Sequence, residues 1–354
     1  MNDKTTKNPF QFSYSGSMPQ LLQQLNCSLA LSTYQAGKVI FISALDNQKL
    51  IQLPRSFVKA MGIALKGDQM AIACIDEVIL FRASTQLATH YPKKPNVYDT
   101  MYFPRVTYHT GALDIHDIDF CNQGLCAVNT NFSCIVKIDE HYNFTPIWKP
   151  SFISKATSGD HCHLNGMAIE DGEIKYVTAF AETDAPRAWT KNLKTSGILI
   201  DYASNKVIVR DLAMPHSPRS LGDNIYVLQS ANGTLLRINK STLEKEVLFQ
   251  YDGFLRGLSI HQGYAFIGLS KIREESSSFG KLGIKDTANK AGVIAIELST
   301  GKHVTSLFYE NSVDEIYDVQ VLPGMNRPSI LNTIKEDHKK GLSLPDRTFW
   351  GKFS

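Results

Sequence analysis

The sequence predicts an all-β protein, a six-bladed β-propeller whose ring is closed by a C-terminal inner strand. Two observations lead to this prediction. Short runs of Val, Ile, Leu, Tyr and Phe alternate with turns of Gly, Asn and Asp, which is typical of strands. A strand–turn–strand pattern also recurs every ~40–60 residues, as propeller blades do. Helical spacing of apolar residues is seen at 18–25, which predicts a short lead-in helix.

Five complete units can be aligned, and each begins with a hairpin that is followed by a second one. The first hairpins are predicted at 61–74, 117–130, 165–178, 217–230 and 256–269. Two fragments remain: a lone strand at 318–322 and three strands within 28–53. Joined together they make a sixth blade, which leaves no open sheet edge. The chain therefore divides into a lead-in (1–25), the propeller (26–328) and a tail (329–354).

Composition narrows the range of functions. The chain has 354 residues, 43% of them hydrophobic, and a net charge of +3 from 37 basic and 34 acidic residues. Without a basic block, nucleic acid is not expected as a partner. No apolar run approaches the ~20 residues needed to cross a membrane, and the N-terminus does not resemble a signal peptide. We therefore expect a cytoplasmic protein whose six cysteines are reduced thiols.

Three histidines precede the predicted first strands of three successive blades. They are His116 in "DIHDIDF", His163 in "HCHLNGM" and His216 in "MPHSPR". First strands line the channel of a propeller, so these side chains are expected at one mouth. Three histidines with an open fourth position suit a catalytic zinc, copper or iron ion. His161 is an alternative to His163, and a metal-free polar pocket or purely structural histidines remain open.

Further polar residues are expected at the same mouth, where the long connections 92–112, 149–162, 180–196 and 271–290 also open. A metal would activate water or polarise a carbonyl, with Arg219 or Arg256 orienting the substrate. Tyr34 or a nearby carboxylate would act as the general base. The predicted catalytic residues are Tyr34, Asp117, Arg219, Arg256 and Glu315. The predicted substrate-binding residues are Gln35, Asn129 and Arg273, although an ion pair of Arg273 with Glu274 is an equal alternative.

Several motifs resemble a bacterial family of conserved hypothetical proteins of propeller type. They are "LSTYQAGK", "LDIHDIDF", "CHLNG", "MPHSPR", "RGLSI", "GLSKIRE" and "EIYDVQVLPG", and the resemblance runs from about residue 20 to 328. It implies the fold and no settled activity. More distantly, the histidines are similar in layout to those of the peptidylglycine amidating lyase, a six-bladed propeller that holds zinc with one histidine from each of three blades. Gluconolactonase-like propellers hold a divalent ion with Glu, Asn and Asp in the channel, and Glu315, Asn165 and Asp117 resemble that set, although the histidines make calcium the less natural metal. Asn165 is also among the predicted substrate-binding residues.

Two functions follow from these patterns. The first is a metal-dependent hydrolase, lyase or oxidoreductase that acts on a small polar or anionic substrate. The alternative is a metal-free propeller that binds a peptide or protein partner, since the fold does not decide function. The sequence favours the enzyme, because the polar residues fall at channel entrances. It does not fix the oligomeric state.

Overall fold

The computed structural model describes residues 8–272, 282, 284 and 286–352, and its strands form six blades around a channel. The prediction of an all-β, six-bladed propeller is confirmed. The described chain opens with β1 (Phe12–Tyr14) and α1 (Ser17–Gln24). The helix buries Met18, Leu21 and Leu22 in an apolar cluster with strands from both ends of the chain. No helix among the described residues is long and apolar enough to cross a membrane.

Blades 1 to 3 occupy the first part of the ring. Their strands in chain order are β2 (Cys27–Thr33), β3 (Lys38–Ala44), β4 (Leu50–Ser56), β5 (Ile63–Lys66), β6 (Gln69–Ala73), β7 (Glu77–Ser84), β8 (Thr100–His109), β9 (Ile115–Cys121), β10 (Gly124–Asn129), β11 (Cys134–Ile138) and β12 (Thr145–Trp148). The short helix α2 (Thr85–Thr89) lies between β7 and β8, and the Ser84 hydroxyl caps its first turn. The segment 92–112, expected to be a connection, therefore contains the fourth strand of blade 2.

Blades 4 to 6 and the tail follow. Their strands are β13 (Leu164–Glu170), β14 (Glu173–Ala179), β15 (Gly197–Asp201), β16 (Lys206–Leu212), β17 (Pro215–Leu221), β18 (Asn224–Gln229), β19 (Thr234–Asn239), β20 (Lys245–Gln250), β21 (Phe254–His261), β22 (Tyr264–Ser270), β23 (Ala291–Glu297), β24 (His303–Tyr309), β25 (Asp318–Pro323), β26 (Pro328–Ile330), β27 (Gly341–Ser343) and β28 (Thr348–Trp350). Single-turn 3₁₀ helices occur at Ala188–Lys191 and Glu336–Lys339.

Each blade is an antiparallel sheet of four strands. Blade 1 consists of β25, β2, β3 and β4, and β25 pairs with β2 from Cys27 opposite Pro323 to Ser32 opposite Asp318. The inner strands are β25, β5, β9, β13, β17 and β21. Two blades gain a fifth, outer strand: β1 pairs antiparallel with β24, and β26 pairs parallel with β8. Both chain ends thus add backbone hydrogen bonds at the rim of the ring.

The C-terminal tail packs on blade 2. Its hairpin of β27 and β28 ends in Trp350, whose ring lies 5.1 Å from that of Tyr91 and 5.6 Å from that of Phe103. The Trp350 indole N–H donates to the Leu87 carbonyl at 2.9 Å. Buried aromatic rings contribute a large apolar contact area, and this contact holds the hairpin against α2 and β8.

The cysteines depart in part from the expectation of six thiols. Cys121 and Cys126, diagonal neighbours on β9 and β10, form a disulfide with their Cα atoms 6.3 Å apart. The four free thiols are buried, at Cys27, Cys74, Cys134 and Cys162. Burial raises the pKa of each of these four to about 12, so they behave as small core residues.

Neighbouring inner strands are joined by side chains that reach from one blade to the next. A carboxylate oxygen of Asp117 on β9 accepts from the Met167 N–H on β13 at 3.0 Å, and one of Asp318 on β25 accepts from the Ile63 N–H on β5 at 2.9 Å. The Ser217 hydroxyl on β17 accepts in the same way from the Gly257 N–H on β21 at 3.2 Å.

Glycines occupy the corresponding positions of the other three blades. They are Gly62, Gly166 and Gly257, and a Cβ added at each would lie within about 3 Å of the next inner strand or its side chains. The closest approach is 2.5 Å, between Gly166 and the Pro218 ring. Around the ring, a reaching side chain therefore alternates with a glycine that permits close contact.

Candidate functional site

On each inner strand, the residue just before the reaching side chain or the glycine lies at the same level of the channel mouth. Five blades place a polar or aromatic residue there: His116, Asn165, His216, Arg256 and Tyr317. We call these five residues the mouth ring. The remaining blade, blade 2, supplies Met61, which precedes Gly62 and is fully buried. The structure thus places Asn165, and not His163, at the position equivalent to His116 and His216.

Hydroxyl groups at the ends of second strands fix the backbone of this ring. Thr130 donates to the Leu164 carbonyl at 2.6 Å, Ser230 to Leu255 at 2.5 Å and Ser270 to Ile316 at 3.0 Å. Each accepting residue immediately precedes a mouth-ring residue of the next blade. These buried bonds satisfy carbonyls that water does not reach, so the ring is held between neighbouring blades.

Two of these hydroxyls also determine the tautomer of a histidine. The single hydroxyl proton of Thr130 is used on Leu164, so the His116 Nδ1, 2.9 Å away, must donate to Thr130 Oγ1. The Asp114 carbonyl, 3.1 Å from the same Nδ1, also accepts only. His116 therefore carries its proton on Nδ1, which leaves a lone pair on Nε2.

His216 repeats this arrangement two blades further on. Its Nδ1 lies 2.7 Å from Ser230 Oγ, whose proton is used on Leu255, and 3.0 Å from the Met214 carbonyl. Nδ1–H is again the donor, and Nε2 again keeps its lone pair. A second hydrogen bond of this type orients a histidine that uses its other nitrogen as a ligand or acceptor.

His163 reaches the same region by another route. It lies two residues before Asn165 with a left-handed backbone, φ 49°. Its N–H donates to Asp160 Oδ1 at 2.9 Å, and its Nδ1 lies 2.8 Å from Asp160 Oδ2, which accepts the ring proton. The His163 ring stands edge-on to that of His116, with centroids 4.8 Å apart. All three histidines therefore have the same tautomer.

Burial keeps two of these imidazoles neutral. Desolvation lowers the pKa of His116 to about 4, with neighbouring His163 and Arg256 adding to the shift. Desolvation and Arg256 lower the pKa of His216 well below its usual value. At neutral pH the unprotonated Nε2 atoms of both residues can accept a hydrogen bond or bind a cation.

The connection at 180–196 covers the histidines with aromatic rings. The ring centroid of His163 lies 4.3 Å from that of Phe180 and 4.2 Å from that of Trp189. The centroids of Phe180 and His216 are 5.2 Å apart, so one phenyl ring packs against both imidazoles. The Trp189 N–H donates to the Asp160 carbonyl at 3.1 Å, which ties the cover to the loop that orients His163.

Arg256 and Tyr317 form the other side of the mouth. The guanidinium lies 3.5 Å from the Tyr317 ring centroid, a close cation–π contact, and its Nη1 lies 3.1 Å from Glu315 Oε1. Tyr34 stacks on Tyr317 at 6.0 Å, and His116 is 5.7 Å from it. The predicted residues Tyr34, Arg256 and Glu315 are thus brought together, with Tyr317 at their centre.

Four buried polar atoms near this level have no hydrogen-bond partner among the described residues. They are Asn129 Nδ2, Asn165 Nδ2, Glu315 Oε2 and the Tyr317 hydroxyl. Burial raises the pKa of Tyr317 well above its usual value, so its hydroxyl stays protonated and can donate. An unpaired buried donor costs roughly 1–3 kcal/mol, and its presence favours a site that a ligand completes.

The remaining predicted residues lie elsewhere. Asp117 is tied between blades, and Arg219 lies three residues beyond His216, after a β-bulge in the strand. Gln35 is exposed, while Arg273 lies outside the described residues. The alternative ligand His161 places its Nδ1 3.1 Å from Asp184 Oδ1.

The donor set suits a transition metal in its chemistry but not in its spacing. Three imidazoles whose Nδ1 atoms are engaged and whose Nε2 atoms are free form a typical set of zinc ligands. In the described part of the chain, however, no three His, Cys, Asp or Glu side chains are grouped closely enough to hold a metal ion. His116 and His163 form a close pair, and Phe180 lies against both His163 and His216.

Sequence reasoning missed several residues that shape the site: Thr130, Asp160, Phe180, Trp189, Ser230 and Tyr317. Two signals were present. A hydroxyl residue follows His116 and His216 by the same interval, 14 residues. The pattern of an apolar residue, X and Asp recurs in "IHD" and "IYD", which marks Tyr317 as equivalent to His116.

The chain belongs to a family that is described only as a domain of unknown function, DUF4915. The family profile matches residues 16–331. No curated protein matches the chain.

Solved structures resemble it in fold. One is the crystal structure of a nidogen/laminin complex, at 10% identity and a TM-score of 0.51, covering 84% of this chain and 99% of that one. Another is a protein of unknown function from Bacteroides caccae, at 12% identity and a TM-score of 0.51, covering 84% and 98%. At such identities the likeness concerns the propeller fold alone.

Proposed function

We propose that the protein is a metal-dependent enzyme that acts on a small polar or anionic substrate at the mouth ring. His116, His163 and His216 would bind a divalent transition-metal ion, either zinc, copper or iron. The observation that supports this most is the common tautomer of the three imidazoles. Each is fixed at Nδ1 by a hydroxyl, carbonyl or carboxylate group and offers Nε2.

The distances between the three imidazole rings imply that metal binding requires one structural change. Two imidazoles that share a zinc ion at about 2.0–2.1 Å per nitrogen have ring centroids about 5 Å apart, close to the 4.8 Å between His116 and His163. Bringing His216 to the same ion requires a rearrangement at the Phe180 ring, which contacts both His163 and His216. The proposal therefore includes a local shift of Phe180 on metal binding.

The other side of the mouth offers groups for a substrate. The buried Asn165 amide and the Tyr317 hydroxyl are donors without partners among the described residues, and Arg256 adds a fixed positive charge. Such donors suit a substrate oxygen that carries or develops negative charge. Glu315 Oε2 is an unpartnered acceptor next to them, and with Tyr34 it remains our candidate for the general base. A bound metal would supply Lewis-acid activation of water or of a carbonyl.

A cytoplasmic location is part of the proposal, because four of the six cysteines are free. Fractionation of cells that produce the tagged chain tests this, and recovery from an extracytoplasmic fraction would contradict it.

The alternative is a metal-free pocket that binds a peptide or protein partner. One observation favours it: no group of three metal-ligating side chains is present among the described residues. In that case the unprotonated Nε2 atoms of His116 and His216 would accept hydrogen bonds from the partner.

Metal analysis of protein purified without chelators or metal-affinity resin distinguishes the two. We expect about one equivalent of zinc, copper or iron in the parent and its loss in His116→Ala, His163→Ala and His216→Ala. His303→Ala is the matched control, because His303 is exposed on β24, the fourth strand of blade 6. Equal metal content in all five proteins, together with equal melting shifts on adding metal, would favour the metal-free pocket.

A further inference from the structure

A second cavity lies deeper along the channel, away from the histidines. Its volume is about 250 Å³, and five of the six inner strands contribute to its wall. Asp119 and Arg219, which line it, each stand three residues beyond a mouth-ring histidine in the chain. The cavity shares no lining residue with the mouth ring, so its function can be considered independently of the proposed metal site.

Arg219 is fixed in this wall by hydrogen bonds to the main chain. Its Nε donates to the Leu258 carbonyl at 2.9 Å and its Nη1 to the Pro218 carbonyl at 2.9 Å. Nη1 also lies 3.4 Å from Asp117 Oδ2. Nη2 makes no hydrogen bond to any residue that the structure describes. A rigid guanidinium with one free amino group is well suited to bind a carboxylate.

Asp119 provides the opposite charge in the same wall. Its Oδ1 accepts from the Phe120 N–H at 2.8 Å, while Oδ2 has no partner among the described side chains and backbone groups. Asp117 and Asp318 also lie near enough to Arg219 to interact with it electrostatically. Of these three carboxyl groups only that of Asp119 lines the cavity, and its free Oδ2 favours a ligand with an ammonium group.

The rest of the wall is mixed. It consists of five aliphatic residues, Ile63, Leu65, Ile118, Leu221 and Ile260, and three polar residues, Ser220, Ser259 and Gln320. The volume is below the roughly 300–1,000 Å³ of sites for drug-sized molecules, so the ligand must be small. A simple anion would leave the Asp119 carboxylate without a partner, and a simple cation would leave the Arg219 guanidinium without one. A zwitterion with an apolar body gives each group a partner.

We propose that this cavity binds an α-amino acid with an apolar side chain. Its carboxylate would bind Arg219 Nη2, its ammonium group would bind Asp119 Oδ2, and its side chain would contact the aliphatic wall. No covalent step is involved.

Calorimetric titration of the purified chain with a panel of leucine, valine, methionine and phenylalanine tests this. For the tightest member, we expect saturable 1:1 binding that is at least tenfold tighter than for its analogue without the amino group or without the carboxylate. Asp119→Asn, which can still accept from Phe120, should weaken binding at least tenfold. The exposed Glu310→Gln is the control and should bind like the parent.

Several results would overturn the proposal. They are no binding of any amino acid in the panel, equal binding of the simple amine, and unchanged affinity in Asp119→Asn. Arg219→Lys keeps the charge but loses the Nη2 amino group that would bind the carboxylate, and it should also weaken binding. Circular dichroism must first show that this variant is folded. His216→Ala should leave amino-acid binding unchanged, so failure of the metal site and failure of this cavity can be told apart.

Discussion

The Ser230 and Ser270 hydroxyl groups both bond to the backbone of the mouth ring, but only Ser230 also orients a histidine. Substitutions of the two serines can therefore separate the effect on His216 orientation from the effect on stability. Ser230→Ala removes the bond to the Leu255 carbonyl and one acceptor of the His216 Nδ1 proton. Ser270→Ala removes the bond to the Ile316 carbonyl and the return bond from the Ile316 N–H at 3.2 Å, and touches no histidine. Each variant therefore loses two buried hydrogen bonds, and each leaves one buried carbonyl without this partner.

We expect both variants to lose a similar free energy of unfolding, about 1–3 kcal/mol. Only Ser230→Ala should also weaken zinc binding, by roughly 10–100-fold, because loss of an orienting partner costs a metal ligand about that much. The Met214 carbonyl remains as a second acceptor, which favours the lower end of this range. Zinc titration of both variants, with urea unfolding of each, measures the two effects. Equal zinc affinities in Ser230→Ala and Ser270→Ala would refute the claim that this hydroxyl orients a ligand.

Three further predictions concern the inner strands. Gly257→Ala should lower the free energy of unfolding by several kcal/mol more than Gly263→Ala. Both glycines have positive φ, but an added Cβ at Gly257 would lie 2.8 Å from Asp318 Cα, while Gly263 has open space. Similar melting temperatures for the two variants would contradict this. His216 has a lowered pKa, so the parent should lose stability as pH falls below about 6.5, and urea midpoints should show a smaller loss in His216→Gln. Burial raises the pKa of Asp119 to about 6, so its carboxyl group should make the parent less stable as pH rises from about 4 to about 6. Over the same pH range, the free energy of unfolding of Asp119→Asn should rise relative to that of the parent.

The propeller could be predicted because its signal is local and repeated. Each blade begins with an apolar hairpin, and the same alternation places His116 and His216 at the start of their strands. His163 was assigned to the wrong position because its left-handed backbone and its bonds to Asp160 displace it by two residues from Asn165. Nothing in the strand pattern indicates that displacement.

Other parts of the site depend on contacts between distant segments. Phe180 and Trp189 belong to a connection whose course over the mouth no periodicity reveals. The place of Arg219 in a separate cavity depends on the β-bulge between His216 and Arg219, where Ser217 has a left-handed backbone. The strand pattern does not indicate this bulge, and closeness in the chain alone groups Arg219 with His216.

The alternation around the channel suggests why the histidines stand where they do. His116, His216 and Tyr317 each precede a residue whose side chain bonds to the next blade. Their backbone is therefore held from one side by that bond, and the side chain at the mouth extends from a fixed base. Asn165 and Arg256 precede glycines, where the neighbouring blade approaches the main chain directly. Both arrangements hold the mouth ring on rigid strands and not on loops, which is the condition for a site that must keep its geometry before a ligand arrives.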